Sequence, residues 1–530
     1  MNHMSLVLLA IGTARGTNAQ GPPETRTFML RSGSDTIAVE QIQLEPRRVR
    51  GEMLYRTANQ RWHFDVALDP NGWVISFDSE LRLAADPPER EPRQRARLDF
   101  VGDSVFVTVN GAAAPSQRIG TQAGAVPFVN PSFGLVELVT RRVARLGSDS
   151  VSIPGLAIAG GVTFPIIVKR IPGDSMVLTL GGVVARLAVD KEGAILGGAV
   201  AAQGLTIEVS AGVRGGALLA ERPDYSAPSG APYRAEPVKV PTPMGHTLAG
   251  TLTLPSGARG PVPAIVTITG SGSQDRDEDL RVVKGYRLFR EIADALSRRG
   301  IAVLRMDDRG YGESGGDART ATSRDYADDI RAGLAYLRTR PEIDGRRLGL
   351  VGHSEGGLIG PLVAGGDSTL KGIVLMAGPA YTGRRILEFQ NKYAIDRSPS
   401  IPAASRDSAL RVAMIAVDSL GRTAPWMKFF LDYDPLVTAN QVKVPTLILQ
   451  GATDRQVTAE QAALLKEAME KGGNRDVTAM LFPETNHLFL ADPSGDPAGY
   501  SRLPSGAIRP EVTSALVEWL VRRLRPAATP

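Results

Sequence analysis

The sequence predicts two domains: a β-rich one, followed by an α/β domain with a mostly parallel sheet and helices on both faces. Its 530 residues exceed what one ordinary core buries. Short runs that alternate apolar and polar residues fill residues 20–221. Apolar strands then alternate with amphipathic helices over residues 238–530. Residues 222–237 hold four prolines among small residues and are typical of a linker.

The first region reads as short strands separated by turns. Residues 36–39, 73–77 and 104–109 alternate in polarity, and turn sequences such as Asn110-Gly111 separate them. Only residues 135–146 suggest a helical period. This spacing predicts an antiparallel sheet or a partly open barrel. It contains no chemical motif, so we expect an accessory domain.

In the second region, the apolar residues follow the period of a strand and that of a helix in turn. Strands are predicted at 251–254, 264–269, 301–306, 348–352, 373–377, 446–450 and 478–482. Helices are predicted at 283–299, 323–340, 355–364, after Thr458, and at 511–524. Apolar strands separated by amphipathic helices predict a parallel sheet that is covered on both faces.

An insertion interrupts this alternation at about residues 381–441. It carries helical patterns and four aromatic residues, Trp426, Phe429, Phe430 and Tyr433. Long insertions after a strand end are often lids over a binding site. We therefore predict a helical cap; extra packing helices without a gating role are the alternative.

Composition excludes several function classes. Lys and Arg number 61 and Asp and Glu 56, and the basic residues form no dense block, so nucleic-acid binding is not expected. The chain has no cysteine, which excludes disulfides, a thiol nucleophile and cysteine-ligated metals. No nucleotide-binding or zinc pattern occurs, so neither a cofactor nor a metal is predicted.

The first residues resemble an export signal. A short apolar run, Leu6–Ile11, precedes small and polar residues that end at Thr17-Asn18-Ala19. Residues 1–19 are therefore predicted to be a signal peptide of a periplasmic or secreted protein; a disordered start on a cytoplasmic protein is the alternative. No segment reaches about 18 unbroken apolar residues, so no membrane span is predicted.

The strongest chemical signal is the pentapeptide Gly352-His353-Ser354-Glu355-Gly356. An apolar strand runs into it and a helix follows, as a sharp strand–turn–helix nucleophile elbow requires. Glycines two residues to either side of Ser354 leave room for the neighbouring backbone. This context predicts Ser354 as a nucleophile.

A serine nucleophile needs a base, and the chain has only five histidines. His487 alone lies late in the chain, in a loop after a strand, and is predicted to be that base. Asp454 follows the strand 446–450 and is predicted to orient His487. Glu484 and Asp492 are alternatives, ranked lower because they share the loop of His487.

Two backbone N–H groups must stabilise an oxyanion. One is predicted at Glu355, the residue after the nucleophile. The other is predicted in the glycine-rich loop 270–277, at Ser271 or alternatively at Gly272. The adjacent pair Asp307-Asp308 reads as a structural turn, because no further metal ligands accompany it.

These motifs resemble the α/β-hydrolase superfamily, and within it the EstD-like bacterial esterases. The resemblance rests on residues 270–277, 308–314, 352–357, 451–454 and 486–487, and spans 238–524. Serine aminopeptidases and prolyl-oligopeptidase-like hydrolases share most of these motifs. The resemblance implies an α/β-hydrolase fold and a metal-free acyl hydrolase with a Ser354–Asp454–His487 triad. Thr269 departs from the pattern, because many members have His-Gly before this loop.

Three functions follow from these residues. The first is a serine esterase acting on a small-molecule ester, whose acyl or alcohol part the aromatic cluster predicts to be apolar. The second is a peptidase or amidase with the same triad, in which Glu355 or the Asp275/Asp277 loop would hold a free amine. The third is a non-catalytic binding protein, against which a complete triad argues.

Overall fold

The computed structural model describes residues 24–33, 35–56, 59–87, 89–110, 115, 117–158, 160–180, 183–211, 223–398 and 401–524. The predicted signal peptide, residues 1–19, lies outside these ranges. Among the described residues, no helix combines the length and the apolarity that crossing a membrane requires.

The chain divides into two compact units. The first comprises the described residues of Met1–Tyr55, Arg61–Leu81 and Pro92–Ala220. The second comprises those of Arg56–Gln60, Arg82–Glu91 and Glu221–Pro530. Two short segments of the region predicted as the β-rich domain therefore belong to the second unit, which their position in the sequence does not reveal.

Most of the first unit is one 15-stranded sheet. Its strands are β1 (Glu24–Ser32), β2 (Asp35–Glu45), β3 (Arg48–Tyr55), β4 (Gln60–Leu68), β5 (Val74–Leu83), β6 (Gln94–Val101), β7 (Ser104–Val109), β8 (Gln117–Gly120), β9 (Val126–Phe128), β10 (Ser150–Ala157), β11 (Val162–Ile171), β12 (Ser175–Leu180), β13 (Val183–Val189), β14 (Ile195–Val200) and β15 (Leu205–Ala211). The order across the sheet is β8-β7-β6-β5-β4-β3-β2-β1-β15-β14-β13-β12-β11-β10-β9. Strand β1 pairs antiparallel with β2 and β15, whereas β9 pairs parallel with β10. The β-rich N-terminal region is thus confirmed.

One helix, α1 (Phe133–Leu146), packs on this sheet. Its buried residues Leu135, Val139 and Val143 recur every four positions and join the core of the sheet. The N-terminus of the helix is capped twice. Ser132 Oγ accepts a hydrogen bond from Leu135 N–H, and the buried carboxylate of Glu40 accepts one from Gly134 N–H at 2.9 Å.

The second unit is built on an eight-stranded sheet. Its strands are β16 (Tyr233–Pro241), β17 (Thr247–Pro255), β18 (Val262–Ile268), β19 (Ala302–Met306), β20 (Ile343–His353), β21 (Gly372–Met376), β22 (Thr446–Gly451) and β23 (Val477–Phe482). The order is β16-β17-β19-β18-β20-β21-β22-β23. Strand β17 is antiparallel to β16 and β19, and the remaining pairs are parallel.

The predicted linker, residues 222–237, is wrong in its last part. Strand β16 begins at Tyr233, and Tyr233 to Pro237 pair with Pro255 to Thr251 of β17. Proline is tolerated here because β16 is the edge strand of its sheet, so one side of its backbone needs no partner. Proline content alone therefore misled the prediction.

Within the described residues, the second unit has helices on both faces of the parallel sheet and further helices in the insertion after β21. They are α2 (Leu288–Ser297), α3 (Ser323–Thr339), α4 (Gly356–Ala364), α5 (Gly383–Arg397), α6 (Arg406–Thr423), α7 (Pro425–Asp432), α8 (Pro435–Ala439), α9 (Glu460–Lys471) and α10 (Pro510–Leu524). Alternate residues of β18 point to opposite faces. Val266 joins a core with α3, α4 and α9, and Ile265 joins a second core with α2 and α10. The predicted fold class is confirmed.

The predicted cap region, residues 381–441, is helical. It contains α5 to α8, which lie between the parallel strands β21 and β22. The prolines Pro425 and Pro435 occupy the first position of α7 and α8, where a missing N–H costs nothing. The insertion therefore follows the carboxyl end of β21.

Candidate active site

Ser354 lies in a strained turn between β20 and α4. Its φ angle is 53°, in the left-handed region that side chains other than glycine rarely adopt. The flanking glycines are required by close backbone approach. A Cβ on Gly352 would lie 2.1 Å from the carbonyl oxygen of Gly356, and one on Gly356 would lie 2.2 Å from that of Ile268. The geometry is that of a nucleophile elbow.

The three residues predicted as a triad lie together, although they are far apart in sequence. His487 Nε2 is 3.0 Å from Ser354 Oγ, and His487 Nδ1 is 2.8 Å from Asp454 Oδ2. Asp454 follows β22, and His487 follows β23. Since Asp454 accepts the Nδ1 proton, Nε2 is left to accept the proton of the serine hydroxyl.

Asp454 is held by its own loop. It is 1% exposed, and its Oδ1 accepts hydrogen bonds from the N–H groups of Gln456 and Val457, at 2.7 and 2.9 Å. Gln450 Nε2 donates to Oδ2 at 3.0 Å. These bonds engage both carboxylate oxygens and fix their direction towards the imidazole.

The two lower-ranked acids do not face the imidazole. Asp492 accepts hydrogen bonds from Asn486 Nδ2 and from Ser494, and thereby shapes the loop that carries His487. The side chain of Glu484 is exposed. The geometry therefore favours Asp454 as the partner of His487.

The predicted oxyanion donors lie on either side of Ser354. Gly270 approaches the serine so closely that a Cβ on it would lie 3.3 Å from Ser354 Cβ. The next residue, Ser271, lines the same pocket as Ser354 and Glu355. Gly272, the alternative donor, lines an adjacent cavity of about 30 Å³, which shares Gly270 and Glu355 with that pocket but does not include Ser354. This arrangement favours Ser271 as the second donor.

Asp308 holds the connection between β18 and α2, called the oxyanion loop here because it carries the predicted donor Ser271. Its two carboxylate oxygens accept one hydrogen bond each, from Thr269 Oγ1 at 2.9 Å and from Gln274 N–H at 2.8 Å. Burial raises the pKa of Asp308 well above its usual value. The hydroxyl of Thr269 thus anchors the loop at the position where the sequence departs from its relatives' pattern.

The acidic residues considered as amine ligands are already engaged. Asp277 forms ion pairs with Arg305 and Arg287. Asp275 accepts hydrogen bonds from Tyr225 OH and from the N–H groups of Asp277 and Asp279. Both carboxylates therefore stabilise the loop that carries them rather than facing a ligand in the pocket.

Glu355 is also engaged. It is 3% exposed, and its Oε1 accepts hydrogen bonds from Ser323 Oγ at 2.6 Å and from Trp426 Nε1 at 2.8 Å. Burial raises the pKa of Glu355, although these partners and Ser271 oppose the shift. The residue after Ser354 is therefore joined to the helical insertion through Trp426.

His353 has a role that the sequence did not reveal. Its Nδ1 lies 2.5 Å from Glu278 Oε1, and its Nε2 lies 3.0 Å from the carbonyl oxygen of His487. Burial lowers the pKa of His353, but the Glu278 carboxylate, the His487 carbonyl and Asp454 together more than offset this, and the pKa is raised overall. These contacts direct both imidazole nitrogens of His353 to groups other than the serine hydroxyl.

A pocket of about 370 Å³ opens above Ser354 and His487. Its apolar wall comes from the helical insertion and from the loops after β22 and β23: Ile386, Leu387, Trp426, Phe430, Val457 and Leu488. The rings of Trp426 and Phe430 stack with their centroids 5.1 Å apart. The pocket can therefore hold an apolar group next to the serine hydroxyl.

Among the described residues, no group of three or more His, Asp and Glu side chains is arranged to hold a metal ion. Asp307, one half of the acidic pair, binds the guanidinium of Arg276 through both carboxylate oxygens, at 2.9 and 2.6 Å. Its role in the turn is structural.

Several known proteins are similar to part of this chain. Residues 282–494 match the family model described as serine aminopeptidase, S33. Esterase EstD from Thermotoga maritima is 28% identical over 311 residues, which cover 57% of this chain and 70% of EstD. Dipeptidyl aminopeptidase BIII from Pseudoxanthomonas mexicana is 27% identical over 265 residues, which cover 48% of this chain and only 35% of that protein.

A solved esterase, PF2001 of Pyrococcus furiosus, aligns with 57% of this chain and 97% of its own, with 18% identity and a TM-score of 0.40. The family match includes strands β19 to β23 and the turn that carries Ser354, but neither β18 nor the loop 270–277. The second unit of this chain has the α/β-hydrolase fold, and its sequence is similar to EstD and to the serine aminopeptidase model.

Proposed function

We propose that this protein is a serine esterase that cleaves carboxylic esters through an acyl-enzyme on Ser354. The observation that carries the proposal is the continuous hydrogen-bonded line from Ser354 Oγ through His487 to Asp454, at 3.0 and 2.8 Å. A serine hydroxyl becomes a nucleophile when an oriented imidazole can accept its proton. This line supplies that base and the carboxylate that orients it.

The reaction runs in two halves. Ser354 Oγ attacks the ester carbonyl while His487 Nε2 accepts the hydroxyl proton, and the N–H groups of Glu355 and Ser271 stabilise the oxyanion. His487 then returns the proton to the departing alcohol, which leaves the acyl group on Ser354. Water, activated by His487, releases the acid and restores the serine.

The pocket supports a small-molecule ester with an apolar acyl or alcohol part. Its wall is mostly apolar, and its volume of about 370 Å³ matches that of ordinary small-molecule sites. Helix α7, which supplies both Trp426 and Phe430, acts as a cap over the serine in this proposal. Esterase function is also supported by similarity to a protein named as an esterase.

A peptidase or amidase with the same three residues is the second candidate. It is favoured by the match to the serine aminopeptidase model. Against it, a protein that trims N-termini needs a carboxylate able to receive a free amine. Glu355, Asp275 and Asp277 already have other partners. We therefore rank ester hydrolysis first, and a non-catalytic binding role last.

The discriminating experiment compares nitrophenyl esters with aminoacyl nitroanilides on the wild type and on Ser354→Ala. We expect ester turnover by the wild type and its loss in Ser354→Ala, with little anilide cleavage. Ser152→Ala, an exposed serine of the first unit, is the matched control and should behave as the wild type. Cleavage of anilides alone would refute the esterase proposal, and undiminished ester turnover in Ser354→Ala would refute the nucleophile.

We also propose export to the periplasm or the exterior, from the signal-like residues 1–19. Sequencing the N-terminus of the protein from its native cell should give a start near Gln20. An N-terminus at Met1 would contradict export by cleavage at this site.

A further inference from the structure

Glu278 is a buried carboxylate in the oxyanion loop that the reaction above does not use. It is 1% exposed, and its φ angle is 53°, so its backbone is strained. The two oxygens of its carboxylate point to different parts of the site. Oε2 accepts a hydrogen bond from Gly270 N–H at 3.4 Å, and Oε1 lies 2.5 Å from His353 Nδ1.

His353 extends this connection to the proposed base. Its Nε2 donates to the backbone carbonyl of His487 at 3.0 Å, and the two imidazole rings lie with centroids 5.0 Å apart. The side chain is 1% exposed. One line of contacts therefore runs from Gly270 through Glu278 and His353 to the main chain of His487.

The two ends of this line of contacts lie next to the two groups that the proposed reaction must align, the oxyanion donor and the imidazole of His487. Gly270 precedes Ser271, the proposed oxyanion donor, and a Cβ on Gly270 would lie 3.3 Å from Ser354 Cβ. The His487 carbonyl fixes the backbone that directs the imidazole. Displacement of either end by about 1 Å lowers a rate by roughly 100-fold.

We propose that Glu278 and His353 are positioning residues that join the oxyanion loop to the loop of the catalytic histidine. This inference rests on the proposed esterase function. Neither residue exchanges a proton with the substrate. Together they hold the N–H donors and the imidazole in one geometry, so that the loss of either contact lowers turnover without preventing substrate binding.

Two substitutions at position 353 separate the two contacts. His353→Gln can keep a donor near the former Nε2 but loses the contact with Glu278. His353→Asn can keep a group near the former Nδ1 but loses the donor to His487. Glu278→Gln removes the charge at the other end. Tyr286→Phe is the matched control, because the buried Tyr286 hydroxyl has no hydrogen-bond partner in the described structure.

The measurements are kcat and KM on a nitrophenyl ester and on an alkyl ester of the same acid, with thermal unfolding of each full-length variant. We expect kcat to fall about 10- to 100-fold while KM changes little. The loss should be larger on the alkyl ester, because its poorer leaving group depends more on a proton from His487. His353→Asn should lose most, and His353→Gln should recover part of the activity.

Glu278→Gln combined with His353→Asn gives a further test. Because both residues serve one connection, the double variant should be no slower than the worse single variant. Losses that multiply, a rise in KM alone, or folded variants with wild-type kcat would overturn the inference. If Glu278→Gln fails to fold, the pair at position 353 gives the same test. Ester turnover surviving in Ser354→Ala would instead refute Ser354 as the nucleophile, and wild-type cleavage of anilides alone would refute the esterase proposal.

Discussion

Both units of this protein bury carboxylates, but they use them differently. In the first unit, Glu40 caps helix α1 through Gly134, and Glu137 pairs with Arg26. In the second unit, buried carboxylates hold the loops at the carboxyl end of the parallel sheet: Glu278, Glu355 and Asp454. Burial of a carboxylate therefore does not by itself indicate function. Several buried carboxylates that converge at one strand end do indicate a functional site, because parallel strands all end at the same edge of the sheet.

The largest effect on turnover should come from Asp454→Asn. An amide in this position presents an N–H group to His487 Nδ1 and favours the wrong tautomer of the imidazole. We expect kcat on a nitrophenyl ester to fall about 10³- to 10⁴-fold. Glu484→Gln, an exposed acid of the His487 loop, is the control and should retain the wild-type rate. Similar losses in both variants would break the assignment of Asp454.

A smaller loss is expected from Asp308→Asn. The amide can still accept from one of Thr269 Oγ1 and Gln274 N–H, but not from both. The oxyanion loop should then shift, and kcat should fall about 10- to 100-fold with KM little changed. The exposed Asp328→Asn on α3 is the control. An unchanged kcat would show that Asp308 does not support this loop.

A still smaller effect should follow Trp426→Phe. The ring can still stack on Phe430, but the hydrogen bond from Nε1 to Glu355 is lost. We expect kcat/KM to fall about 3- to 10-fold. Steady-state kinetics across acyl chain lengths checks this, with the exposed Trp73→Phe of the first unit as control. An unchanged kcat/KM would show that the hydrogen bond between Trp426 and Glu355 does not contribute to turnover.

Glu40→Gln should leave turnover unchanged and alter only stability. Burial raises the pKa of Glu40 from 4.5 to about 7. The folded protein therefore keeps this proton over a pH range in which an unfolded glutamate has lost it. The free energy of unfolding should fall as the pH rises through this range, by about 3 kcal/mol in total.

Thermal unfolding between pH 4.5 and 8 tests this sign. As the pH rises, the free energy of unfolding of the wild type should fall more steeply than that of Glu40→Gln, because the amide at position 40 does not titrate. Glu192→Gln, at an exposed turn of the same unit, should follow the wild type. A wild type whose stability rises over this range relative to Glu40→Gln would contradict the direction of the shift.

The sequence predicts those parts of the site that depend on local chain geometry. Ser354, Asp454 and His487 each follow a recognisable strand, and the parallel arrangement brings strand ends together. The contact between Glu278 and His353 spans 75 residues and depends on how two side chains turn in the core. No periodicity of the sequence predicts such a contact. A histidine directly before the predicted nucleophile is the sequence signal that points to it.

Element boundaries were missed where tertiary context decided them. The predicted helix 283–299 begins only at Leu288, because Gly285 adopts a φ of 76° and the chain turns there. Helix α3 begins at Ser323, as predicted, but ends at Thr339, one residue before the predicted end; Thr322 caps it in a capping box with Asp325. The prolines of β16 predict a linker from sequence alone, because a strand accepts proline only when it lies at the edge of a sheet.

The most direct test of the account is to trap the acyl group. The wild type is mixed with a nitrophenyl ester, quenched in acid, and digested for mass spectrometry. We predict one added acyl group on the peptide that contains Ser354, and none in Ser354→Ala treated in the same way. An acyl group on a different residue, with ester turnover intact in Ser354→Ala, would contradict the account.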